Sequence, residues 1–217
     1  MEEKETGQKV KLTSLELDAL KEMGNIGTGN AATSLSKFIN KNVDMNFPET
    51  KFVHVSKFSE TVGGPEKMVV GIYLQISGEV HGEAMFLFPE KGAYELIDLI
   101  LSKPLGTTKR MDDMDKSAFM ELSNILTGSF LNALGNMLEA KILPSVPHVA
   151  ADMAQTLLDF ILIKISKCAD TLLYVKTGVN VEGHKIDGEF TVLFDQDSLK
   201  KIISKMHDKY GLESPGA

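Results

Sequence analysis

The chain has 217 residues, 43% of them hydrophobic, and a formal net charge of −7. That composition supports a buried core in one domain or in two fused halves, and its acidic balance leaves no basic surplus for nucleic acid or for an anionic membrane surface. A single cysteine, Cys168, excludes an internal disulfide, and the charged start Met1-Glu2-Glu3-Lys4-Glu5 lacks the apolar stretch of an export signal, so a reducing cytoplasm is the expected compartment.

Residues 1–11 are polar and charged and are expected to form a flexible tail. Thr13 and Glu16 have capping-box spacing, which predicts a helix from Thr13 to about Asn40, ended before Pro48. Strand patterns follow at 51–57, 68–77 and 79–88. In the last two, alternation puts Ile72, Leu74 and Ile76 on one face and Ala84, Phe86 and Phe88 on one face. A short helix at 91–102 presents Leu96, Leu99 and Ile100. A second long helix starts near Asp112 or Asp113 and ends before Pro144. Strand patterns recur at 146–153, 160–166, 171–181 and 186–194. The most apolar run, 157–165, contains Asp159 and Lys164; it reads as a buried strand and is too short to span a bilayer. A helix at 198–207 presents Leu199, Ile202, Ile203 and Met206, and a second flexible tail is expected at 208–217.

The order of elements is written twice. Glu22-Met23-Gly24-Asn25-Ile26-Gly27-Thr28-Gly29 matches Glu121-Leu122-Ser123-Asn124-Ile125-Leu126-Thr127-Gly128 at an offset of 99, and Leu35 and Leu134 continue the register. Residues 81–88 resemble 187–194 at an offset of 106, so the second copy carries a short insertion between the two matches. Two repeats, 12–102 and 112–207, are therefore expected inside one domain at 12–207. Short links between successive strands favour antiparallel pairing. The predicted fold is α+β: a two-layer α/β sandwich from an internal duplication, with pseudo-twofold symmetry, a largely antiparallel sheet and two long helices that carry the recurring motif.

That motif places polar side chains on one helix face, because residues three or four apart are neighbours there. Asp18, Glu22 and Asn25 line up in the first helix, and Ser117, Glu121 and Asn124 in the second. A single Glu/Asn pair is what any solvated helix face shows, and a repeated pair is also what an inert duplication would leave. Asn is a mediocre helix former, however, so local propensity does not favour keeping it twice. A carboxamide donates and accepts hydrogen bonds and can orient a water for in-line attack on a phosphoryl group. A carboxylate repels phosphate oxygens and suits a cation on a partner. With no nucleophile and no metal-ligand spacing among His54, His81, His148, His184 and His207, such a pair would complete an active site supplied by another protein. No metal or nucleotide is expected on this chain. The glycines at 24, 27 and 29 lack the Rossmann and Walker orders; each costs a helix up to about 1 kcal/mol, so close approach by a partner or a neighbouring element is the expected compensation. Glu22, Asn25, Glu121 and Asn124 are expected at the surface, with Ile26, Leu122 and Ile125 facing inward.

The two patterns Asp18-x-x-x-Glu22-x-x-Asn25 and Ser117-x-x-x-Glu121-x-x-Asn124 resemble the duplicated signature of the CheC, CheX and FliY chemotaxis phosphatases. The likeness covers roughly residues 12–207. It implies a phosphatase acting on the aspartyl phosphate of phosphorylated CheY, with Mg²⁺ held by CheY itself and no cofactor on this chain. It further implies that Asn25 and Asn124 position water, that Glu22 and Glu121 anchor a CheY lysine, that Asp18 and Ser117 support, and that the deamidase CheD is a partner that modulates activity. Two intact motifs favour the CheC branch. The alternative is a non-catalytic binding module: a CheD partner, a phospho-CheY sink or a flagellar switch adaptor.

Overall fold

A computed structural model describes residues 14–54, 57, 60, 64–165 and 171–210. Helix α1 (Ser14–Ile39) and helix α3 (Asp113–Leu138) each have 26 residues, and their bounds differ by 99 at both ends. Thr13 and Cys168 lie outside the described residues. The start of α3 shows the expected chemistry: Asp112 accepts from the Asp115 amide while Asp115 accepts from the Asp112 amide, a complete capping box. Both helices end alike. Asn40 and Glu139 take left-handed backbone angles, and the next amides, Lys41 and Ala140, donate back to the carbonyls of Ser36 and Gly135. That turn, rather than Pro48, stops the first helix.

After each long helix the chain runs along an outer edge of the sheet. Strand β1 (Val43–His54) begins eight residues earlier than its pattern suggested, and Pro48 lies within it, where the ladder to its neighbour shifts register. The equivalent stretch is split into β4 (Ile142–Pro144) and β5 (His148–Met153), with Pro147 in the gap. Pro48 and Pro147 are again 99 apart. The remaining strands are β2 (Met68–Gly78), β3 (Gly82–Pro89), β6 (Thr171–Val181) and β7 (His184–Phe194). The sheet order is β1-β6-β7-β3-β2-β4, with β5 also on β2, and every pairing is antiparallel. Read from either end, the order is the same. Each half contributes a hairpin to the centre and sends its first strand across to the far hairpin. The twofold runs between β3 and β7, where Met85 pairs with Thr191 and the rings of Phe86 and Phe190 stack at 4.2 Å.

Helices α1, α3, α2 (Glu90–Ile100) and α5 (Gln196–Tyr210) cover one face of the sheet. The core there holds Ile72, Leu74, Ile76, Ala84, Phe86 and Phe88, the residues that alternation puts on one face of each strand. Helix α5 extends through Tyr210, so residues 208–210 belong to it rather than to a tail. The run at 157–165 is not a strand. It forms most of helix α4 (Ala154–Ile165), which packs on the opposite face of the sheet. Ala154 and Leu158 are buried while Thr156, Asp159 and Phe160 are exposed, a helical spacing that a short apolar run conceals. Gly71 makes room for this helix, because a Cβ there would come within 2.6 Å of Leu157. Between α4 and the sheet lies an apolar cavity of about 430 Å³ floored by Tyr73 and Met85 and roofed by Leu157 and Phe160.

Candidate functional site

Where α1 crosses α3, Gly27 sits against the backbone. A Cβ on it would lie 3.3 Å from Phe130 Cα and 3.6 Å from Ala133 Cβ. The close approach expected of the small residues thus comes, at this position, from the neighbouring helix. Ala31, Leu35 and Ile39 of α1 and Phe119, Leu122, Leu126, Phe130 and Leu134 of α3 continue the buried faces.

With those faces turned inward, helix periodicity turns the motif outward. Asp18, Glu22 and Asn25 are exposed on α1; Ser117, Glu121 and Asn124 are exposed on α3. Asn124 donates from Nδ2 to Glu121 Oε2 at 3.2 Å, so one turn of helix holds amide and carboxylate as a unit. The Ser117 hydroxyl instead donates to the Asp113 carbonyl at 2.9 Å, within its own helix. Leu122 is fully buried and Ile125 partly so, as expected. Ile26 departs from expectation: it is 54% exposed. One step of about 100° from Gly27, which faces α3, brings Ile26 round to the solvent side.

Buried beneath the second motif are the hydroxyls of Ser123 and Thr127, neither with a hydrogen-bond partner. The positions equivalent to them are Gly24 and Thr28. Among the described residues no three His, Cys, Asp or Glu side chains converge so as to hold a metal ion, and no helix is long and apolar enough to cross a membrane. The surface so built offers two carboxylate–carboxamide pairs, one per helix, both open to a large partner.

The family model described as CheC-like matches residues 15–51 and again 114–150, two segments separated by the same 99 residues. The CheY-P phosphatase CheC of Bacillus subtilis (strain 168) is 30% identical over 192 residues, which is 87% of this chain and 92% of that protein. The flagellar motor switch phosphatase FliY of the same organism is 27% identical over 205 residues, 93% of this chain but 52% of that protein. Among solved structures, Thermotoga maritima FliY matches with a TM-score of 0.75 at 21% identity, covering 92% of this chain and 100% of that one. The FliM middle domain of H. pylori matches with a TM-score of 0.65 at 11% identity, over 90% of this chain and 100% of that one. Those two likenesses speak to the fold.

Proposed function

Since the chain belongs to the CheC-like family, we infer that it is a phosphatase that hydrolyses the aspartyl phosphate of phosphorylated CheY in chemotaxis signalling. The observation that carries this reading is the pair of exposed Glu/Asn sets at equivalent positions on two surface helices. A protein substrate needs its catalytic contacts on an accessible surface, and the exposure of both Glu/Asn sets is consistent with that need.

In this reading Asn25 and Asn124 hold a water in line with the phosphorus of the partner. The water oxygen bonds to phosphorus, the acyl-phosphate P–O bond breaks, and the partner aspartate leaves as carboxylate with inorganic phosphate as the second product. Glu22 and Glu121 grip a cation of the partner, such as a lysine beside the phosphate. The hydrogen bond between Asn124 and Glu121 supports a paired action, because it sets the amide orientation from the anchoring carboxylate. Asp18 and Ser117 support from the preceding turn. Mg²⁺ bound on the partner would supply charge neutralisation on the phosphoryl oxygens. CheD is proposed as a modulating partner and the cytoplasm as the compartment.

The test is phosphate release from phosphorylated CheY with this protein added. Wild type is expected to accelerate release, and the Asn25→Ala/Asn124→Ala protein is expected to bind while losing on the order of ten- to thousandfold of the maximal rate. A folded double variant that releases phosphate at the wild-type rate would sink the role given to the two Asn, and a wild type that binds without accelerating release would leave a binding module in its place.

A further inference from the structure

Each motif is followed by a glycine that the fold does not require. Gly29 and Gly128 stand four residues beyond Asn25 and Asn124, one turn further along the same face. Both lie inside helices, and neither is among the glycines with positive φ. A Cβ built on either meets nothing within 4 Å. The contrast with neighbouring glycines is direct. Gly27 is needed by the crossing with α3, and a Cβ on Gly135 would lie 2.9 Å from the Ala140 carbonyl oxygen. At 29 and 128, internal packing and backbone geometry would both accept alanine, and alanine is the better helix former. Yet glycine stands at both, while the glycines at 24 and 27 are Ser123 and Leu126 in the second half.

Resting on the phosphatase reading above, we propose that Gly29 and Gly128 are docking positions for the phosphorylated partner. The bare helix backbone there lets the main chain beside the aspartyl phosphate close to van der Waals contact. The reach of asparagine explains why closeness matters. Its carboxamide ends two bonds beyond its own Cβ, so even a methyl one turn further on takes up part of that reach and holds the partner away. Glycine lowers the surface beside the amide and lets the amide enter the partner's site. The same bare position in each helix gives both motifs the same clearance.

The test separates docking from folding by asking for opposite signs. In the full chain, Gly29→Ala/Gly128→Ala is expected to raise the melting temperature by about 2–4 °C per site. The same variant is expected to lower kcat/KM for phosphate release from phosphorylated CheY on the order of ten- to hundredfold. Gly29→Leu/Gly128→Leu should lose more activity again, with melting curves as the check on folding. Lys37→Leu, exposed about two turns further along α1, is the control for added apolar surface and should leave activity unchanged. A more stable alanine variant with wild-type kcat/KM overturns the proposal, and so does a variant that loses stability and activity together. If wild type itself does not accelerate phosphate release from phosphorylated CheY, the phosphatase reading fails instead, whatever the glycine variants do to stability.

Discussion

Along its inner face α1 carries Gly27 and Ala31 where α3 carries Leu126 and Phe130, the residues 99 positions on. The outer faces of the same helices carry the same Glu/Asn pair. The two halves share one core, so a loss of volume on one side is made good by a gain on the other, as Phe130 does over Gly27. Nothing at the surface provides such mutual compensation. At these inner positions the halves differ and compensate each other, while the exposed Glu22/Asn25 and Glu121/Asn124 pairs agree without any such compensation between them.

The sharpest test of that equality is the activity of each side alone. Asn25→Ala or Asn124→Ala singly should leave partial phosphate release, and the double variant should lose on the order of ten- to thousandfold in maximal rate, by analogy with removed oxyanion donors. Glu22→Ala/Glu121→Ala should weaken affinity for the phosphorylated partner more than the Asn changes do. Exposed positions should leave the melting temperature within about a degree or two. Making the inner faces alike is the next largest change: Gly27→Leu drives a side chain into the Phe130 backbone and should cost about 1–3 kcal/mol in denaturant unfolding.

A third contrast lies on the other face of the sheet. Glu83 accepts from the Tyr73 hydroxyl at 2.6 Å and from Gln75 Nε2 at 3.4 Å, whereas its sequence counterpart Glu189 has a buried Oε2 with no partner. Burial raises the Glu189 carboxyl to about 7, against lowering by Lys67 and Lys176. A carboxyl raised on folding stabilises the fold while protonated and loses that contribution as pH rises through the folded value. Stability should therefore fall between about pH 5 and pH 8, and Glu189→Gln should remove that component, gaining about 1–2 kcal/mol over wild type at pH 8 and little at pH 5. The smallest effect is expected at Ser123, where the other half has Gly24. Ser123→Ala deletes an unpartnered buried hydroxyl and should stabilise by up to about 1 kcal/mol, read as a shift in the unfolding midpoint.

The duplication and the exposed pairs were legible because helix periodicity alone sets which residues share a face, and tertiary contacts only choose which face is buried. Ile26 differs from expectation for the same reason: the motif gives a spacing but not the direction of α3, which Gly27 fixes. Helix α4 is hidden in the sequence because a nine-residue apolar run fits a buried strand as well as a helix, and the deciding contact, Leu157 over Gly71, is remote in sequence. The start of β1 was hidden by Pro48, which argues against a central strand; β1 is at an edge, where a missing amide donor is tolerated.

The two prolines have a consequence for solubility. Both borders of the sheet face outward, and a continuous border is a template on which a further copy of the chain could add its own strand. Pro48 interrupts one border at its register shift and Pro147 the other at the gap between β4 and β5. Neither residue carries a backbone N–H to donate to an added strand. Neither border of the sheet is therefore an unbroken row of backbone donors along its length.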